Sequence, residues 1–250
     1  MTNAPEFQLS EEQAWQVVSV CTTEIASLKL EGLTAIAVIG SLPGGYYRPG
    51  QSDLDLVLLF SSFPNLTDLE AMLANAISAG LKKNVPDPSL VDLEAYPRLE
   101  AEILPNPETG RIPRPDLAAR LQTQGKVLWG NLPMASLRMP TALEWTAEMD
   151  QFIDYWEMKN PQGSEVPPRA AVGFVLSLMR LFLATTGLVE YDKRRLLGVF
   201  SANAEEVQLP PIIPEVLNLS LAGQPLSQGQ YATFLGSLPD FQAKIRARLP

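Results

Sequence analysis

Two aspartates open an apolar run: Ser52-Asp53-Leu54-Asp55 leads directly into Leu56-Val57-Leu58-Leu59-Phe60. Alternate residues of a strand share a face, so Asp53 and Asp55 present their carboxylates close together. Two unneutralised carboxylates at that spacing repel. A hard divalent cation with oxygen ligands, Mg²⁺ above all, makes the pair favourable by sitting between them and bridging to phosphate. Upstream, Gly40 lets the backbone come close to a phosphate chain, and Ser41 offers its oxygens a hydroxyl and an amide. A third carboxylate would complete a two-metal site or deprotonate an attacking hydroxyl. Asp92 is the candidate, with Glu94 two positions on and on the same face, and the choice of base between them stays open.

These groups must be delivered by strands. Leu33 to Ile39 is short, apolar and β-branched, and it ends at Gly40-Ser41, so it reads as a buried strand feeding a turn. Leu42 to Gln51 is loop, and Asp53 to Phe60 is a second strand. Leu90 to Tyr96 reads as a third. Around them stand helices over Ser10 to Leu30, with Ser10 as cap, and Leu66 to Leu81, with Thr67 as cap and Gly80 near the end. Asp116 to Gln124 is a short helix, and Val127 to Gly130 a short strand or turn. From Pro140 the pattern is helical alone: Thr141 to Met158, Arg169 to Thr186 and Lys193 to Phe200, then helices near Pro214 to Leu221 and Gln228 to Leu249. The domain boundary falls between Gly130 and Pro140, and the expected class is α/β (α+β): a small mixed-sheet domain followed by an all-α domain.

Composition narrows the chemistry. The chain of 250 residues is 46% hydrophobic and 19% charged, which describes a globular protein of one to two domains. With no histidine in the sequence, Ser-His-Asp and Cys-His catalysis and histidine-ligated zinc are excluded. Carboxylates, lysine, arginine, hydroxyls or a hard metal ion must do the work. A net charge of −9 argues against a broad nucleic-acid surface and suits a cationic small substrate. No uninterrupted apolar run reaches membrane-span length, and the amino terminus has no secretory pattern, so a cytoplasmic location is expected. The single cysteine, Cys21, lies in an apolar helical pattern and reads as a core residue.

Gly40-Ser41, the Gly44-Gly45 and Arg48-Pro49 pairs, and Ser52-Asp53-Leu54-Asp55-Leu56 together resemble the signature of the nucleotidyltransferase superfamily that contains DNA polymerase β. The fullest resemblance is to aminoglycoside adenylyltransferases of the streptomycin and spectinomycin type. Val91-Asp92-Leu93 looks like their third acidic strand, Gly125 to Gly130 like the segment closing their catalytic domain, and Leu176 to Gly187 like a helix of their carboxy-terminal domain. The resemblance implies a catalytic domain over residues 1–135 and a helical substrate-binding domain over 136–250. It implies that Asp53, Asp55 and Asp92 coordinate magnesium and act in catalysis. Gly40, Ser41, Arg48, Ser52 and Lys193 would bind ATP, with a small-molecule hydroxyl, such as that of a cationic aminoglycoside, accepting AMP as pyrophosphate leaves; antibiotic resistance would be the biological outcome. The family has a glutamate as base where this chain has Asp92, and Lys193 aligns only with a one-residue shift.

Blander readings stand beside these. Asp92 would then be a solvent-facing acid, Arg48 a solvated loop charge, and the acids and aromatics of Thr141 to Met158 the two faces of an ordinary amphipathic helix rather than a pocket for a polycation. The function alternatives are transfer to a protein or RNA hydroxyl, and a non-catalytic nucleotide-binding or regulatory protein of the same fold. The sequence leaves the oligomeric state open.

Overall fold

Two seven-residue runs rich in Val, Ile and Leu form the centre of a sheet, as fully buried strands require: β1 (Leu33–Ile39) and β2 (Leu54–Phe60) pair antiparallel in the computed structural model of the protein. The structure describes residues 8–64, 68–132, 136–161, 165–204 and 206–249. β3 (Leu93–Leu99) runs parallel to β2, and β4 (Lys126–Gly130) antiparallel to β1, giving a mixed sheet in the order β3-β2-β1-β4. The chain divides into two units, Met1–Met139 and Pro140–Pro250.

In the first unit the two faces of the sheet are covered by different helices. α1 (Glu11–Ser27) and α2 (Leu69–Asn84) close one face over Ile36, Val38, Leu54, Leu56, Leu58 and Phe60. α3 (Pro115–Gln124) closes the other, where Ala118 and Leu121 meet Ala35, Ala37, Ile39, Val57 and Leu59. α1 begins as expected: the Ser10 hydroxyl accepts from the Gln13 amide at 3.2 Å, and the Gln13 side chain accepts from the Ser10 amide at 2.9 Å.

Two boundaries move. The third strand, expected over Leu90 to Tyr96, starts at Leu93, because Asp87 caps a single 3₁₀ turn over Pro88–Leu90 and spends those residues on it. It runs on through Pro97, which an edge strand tolerates since one side of its backbone is unpaired. α2 begins at Leu69 behind Asp68; Thr67, expected as its cap, lies outside the described residues. Gly80 does not stop this helix, which continues to Asn84. Instead Gly80 is where α2 crosses α1: a Cβ there would stand 2.7 Å from Cys21 Sγ, so only glycine permits the approach. Cys21 is fully buried, the core residue its pattern indicated.

Among the described residues the regular elements of the second unit are all helices: α4 (Ala142–Lys159), α5 (Pro168–Thr185), α6 (Lys193–Asn203), α7 (Ile212–Leu221) and α8 (Gln228–Arg246). Thr141 and Glu144 cap α4 reciprocally, and Ser227 and Gln230 cap α8. Aromatic rings hold the bundle together, with Phe182 against Phe200 at 5.7 Å and Phe200 against Phe241 at 6.2 Å. α5 is the one described helix long and apolar enough to cross a membrane, and most of it is buried, packing on α4, α6, α7 and α8. The architecture is thus α+β: a mixed sheet with helices on both faces, then a helical unit.

Candidate functional site

β1 ends, and β2 and β3 begin, at the same end of the sheet, because β1 is antiparallel to β2 and β3 parallel to it. Ile39 is therefore the register partner of Asp55, and Asp55 that of Glu94. Even-numbered residues of β2 belong to the apolar core under α1 and α2, while Val57 and Leu59 belong to the opposite core. Asp55 shares the face of Val57 and Leu59, and Glu94 and Tyr96 of β3 share it by register. Asp53 precedes β2 on that parity. Asp92 precedes β3, and its carbonyl accepts the Leu54 amide at 2.8 Å, so the backbones of the two acidic leaders run side by side.

The turn after β1 closes over this end. Gly40 adopts φ +88°, a left-handed conformation that glycine tolerates, and a Cβ on it would lie 3.1 Å from Asp55 Oδ2. The Gly44 amide donates to the Gly40 carbonyl and the Tyr46 amide to the Ser41 carbonyl, each at 3.1 Å, winding Gly40–Tyr46 into a compact loop. Ser41 Oγ is buried at its base with no hydrogen-bond partner. A buried hydroxyl left unmatched is costly and calls for an acceptor.

The remaining expected residues are placed as follows. Ser52 braces the second half of the loop, its hydroxyl accepting the Arg48 amide at 3.0 Å while its own amide donates to the Arg48 carbonyl at 3.0 Å. Arg48 is half-buried. Lys193 is the exposed first residue of α6, in the second unit, behind the cap Asp192. Asp92 and Glu94 are both exposed. Among the described residues no three acidic or cysteine side chains are gathered so as to hold a metal ion, so Asp53, Asp55 and Asp92 do not form a ready three-carboxylate cage.

Tyr96 is a neighbour that the sequence reading did not single out. Its hydroxyl donates to Glu94 Oε2. Its phenol is pushed well above the usual tyrosine value, first by burial, then by the bond to Glu94, and then by the charges of Asp55, Glu94 and Asp53. Three of the acids therefore act on the charge of one phenol, Glu94 by direct contact. The signal was available in the sequence, since Tyr96 is two residues beyond Glu94 on the same strand face.

The donor set fits a hard cation: carboxylate and hydroxyl oxygens, with the one thiol buried in the core under α1 and α2, on the opposite face of β2 from Asp55. Mg²⁺ commonly takes one or two carboxylates and completes its shell with water and phosphate oxygens, so Asp53 and Asp55 suffice as protein ligands. The bare Cα of Gly40 and the unmatched hydroxyl of Ser41 leave a phosphate chain close access to that pair.

α4 offers less to a polycation than its composition promised. Glu144 accepts from the Thr141 amide and hydroxyl, and Asp154 and Glu157 pair with Arg246. Trp156 and Phe152 stack on Phe174 at 4.2 and 5.4 Å, as parts of a core.

No family model matches the chain, and no curated protein matches it. Three solved structures are similar to part of it. A toxin–antitoxin complex with AMP-PNP is 17% identical, over 60% of this chain and 92% of its own, with a TM-score of 0.29. A mutant of the toxin–antitoxin pair MntA–HpeT gives 15%, 60%, 92% and 0.28. A tri-AMPylated Shewanella oneidensis HEPN toxin in complex with MNT antitoxin gives 17%, 60%, 94% and 0.27. Scores and identities this low do not bear on activity, and the functional reading rests on the geometry of the loop and the acids.

Proposed function

We propose that this chain is a magnesium-dependent nucleotidyltransferase that moves AMP from ATP onto a hydroxyl of a small molecule. The observation that carries the reading is the placement of the Asp55 carboxylate beside Gly40, where a Cβ would stand 3.1 Å from Oδ2, together with the buried and unmatched Ser41 hydroxyl. A glycine turn, an unmatched hydroxyl donor and paired acids at one end of a sheet suit a triphosphate and its counter-ion.

In this reading Gly40 and Ser41 hold the phosphate oxygens, Asp53 and Asp55 hold Mg²⁺, and Asp92 and Glu94 stand at the edge from which an acceptor would approach. Bound Mg²⁺ would neutralise charge on the phosphates and on the departing oxygen. The acceptor hydroxyl oxygen bonds to the α-phosphorus, the bond from that phosphorus to the bridging oxygen breaks, and pyrophosphate departs. The hydroxyl proton passes to a carboxylate. Glu94 is the stronger choice of base because it is the register partner of Asp55 and Tyr96 orients it, whereas Asp92 lies ahead of its strand. Asp92 would then add negative charge beside the pair that would hold Mg²⁺. Arg48 and Ser52 are assigned to nucleotide binding, Ser52 by bracing the loop. The net charge of −9 supports a cationic acceptor such as an aminoglycoside, and ATP and Mg²⁺ abound in the cytoplasm, the proposed location.

Pyrophosphate release with Mg²⁺ and each nucleoside triphosphate, against a panel of aminoglycosides, tests the proposal with Asp53→Ala as the blank. Release by the wild type alone, rising with one acceptor, is expected. Release that the blank matches would end the catalytic reading, and release that no aminoglycoside stimulates would redirect the search for the acceptor to protein and RNA hydroxyls.

A further inference from the structure

The loop between β1 and β2 is tied at one more point, to α3. The Tyr46 hydroxyl donates to Gln124 Oε1 at 2.6 Å, across 78 positions of sequence. Gln124 ends α3 and is only 8% exposed. Its other amide atom, Nε2, is buried without a partner. Gly44 is wedged against the pair: a Cβ on it would stand 2.4 Å from Tyr46 Cε1, 2.9 Å from Gln124 Oε1 and 2.9 Å from the Gly40 carbonyl. The rest of α3 is anchored in the core, where Ala118 and Leu121 pack with Ala35, Ala37 and Ile39 of β1.

A glutamine so placed is a poor choice for stability alone. It buries two polar atoms and matches one, where Met or Leu would fill the space without leaving a donor unmatched. What it adds is a directional bond to the loop whose first residues are Gly40 and Ser41.

We propose that Gln124 is a positioning residue for the triphosphate: through Tyr46 it holds Gly40–Tyr46 in the wound conformation that presents Ser41 and the bare Gly40 to the phosphates. The chain of support runs from the core to α3, from α3 to Gln124, from Gln124 to Tyr46, and from Tyr46 back across the loop by its amide bond to the Ser41 carbonyl. Pre-organising a loop lowers the entropy lost when a ligand orders it, so loosening it weakens binding. This inference rests on the nucleotidyltransferase reading for the identity of the ligand, though not for the state of the loop.

The test compares wild type, Gln124→Met, Tyr46→Phe and the double variant by three measurements. Amide hydrogen exchange at Gly44 and Tyr46, read without nucleotide, should speed up about fivefold in each single variant, and ATP binding with Mg²⁺ should weaken about fivefold. The double variant should be no worse than either single one, because both remove the same bond. Thermal stability of Gln124→Met should equal or exceed that of wild type, the opposite of what a merely structural glutamine would show. Unchanged exchange at Gly44 and Tyr46, additive effects in the double variant, or a Gln124→Met protein that is less stable yet binds ATP normally would each overturn the proposal. Faster exchange in the variants of a wild type that binds no triphosphate would keep the clamp, overturn its role toward phosphate, and sink the nucleotidyltransferase reading with it.

Discussion

The two faces of β2 are made from alternate residues of one strand and are built to opposite ends. On one, Leu54, Leu56, Leu58 and Phe60 are buried under α1 and α2 without a break. On the other, Val57 and Leu59 are buried toward α3, but the row opens with Asp55, the one residue of the strand that is not buried. The first face shows what a strand looks like when packing is its whole task. The second shows packing given up at one end, where a glycine turn, a lone hydroxyl and neighbouring acids take its place. Stability and chemistry are thus separated by side-chain parity within a single strand, and substitutions on the two faces should fail differently.

The largest contrast is in activity. Asp53→Asn should lower nucleotidyl transfer about a thousandfold or more, the loss expected when a metal ligand is removed. Its thermal stability should stay within about 0.5 kcal/mol of wild type, since the change is peripheral to both cores. A matched loss of stability would break the separation. Leu56→Ala is the converse, with about 2–5 kcal/mol lost in urea denaturation and the rate per folded molecule unchanged.

Gly40→Ala sits between the faces and should carry both defects in smaller measure. A side chain at φ +88° costs about 1–2 kcal/mol, and the new methyl would press on Asp55 Oδ2, so triphosphate affinity measured by calorimetry should fall along with stability. Retained affinity would show that the approach of Gly40 to Asp55 is incidental.

The last contrast belongs to the packed face alone and shows only at alkaline pH. Burial first, and the charge of Glu24 second, push the Cys21 thiol up to about 11. The unfolded thiol ionises near about 8.5, so the folded value is the higher one. Its contribution is therefore whole below about pH 8.5 and is lost as pH rises toward 11. Urea midpoints should fall more steeply over that window in wild type than in Cys21→Ala; parallel curves would contradict the burial. The same burial predicts a slow reaction with thiol reagents at neutral pH.

Much of this was legible in the sequence because the signals were local. The alternation of Asp53 and Asp55 in front of an apolar run, the Gly40-Ser41 ending of β1, and the Ser10 cap of α1 each depend on residues within a turn or a strand of one another. What was not legible depended on pairing between distant segments. The start of β3 shifted because a capped turn at Asp87 competed for its first residues and because the edge position that excuses Pro97 is a property of the sheet. Gly80 looked like a terminator, since its partner Cys21 is on another helix. Register alone makes Glu94, rather than Asp92, the direct neighbour of Asp55, and the tie from Tyr46 to Gln124 spans 78 positions that no local pattern connects. The acids and aromatics of α4 were ambiguous for the same reason, because their partners Arg246 and Phe174 lie on α8 and α5.

The account turns on a divalent cation shared between Asp53, Asp55 and a triphosphate. Titrating Mn²⁺ into the protein with a non-hydrolysable ATP analogue, and following the free ion by electron paramagnetic resonance, reads that sharing directly. The account predicts tight Mn²⁺ uptake that requires the analogue and is abolished in the Asp53→Asn, Asp55→Asn double variant. Equal uptake by the variant and the wild type would contradict it.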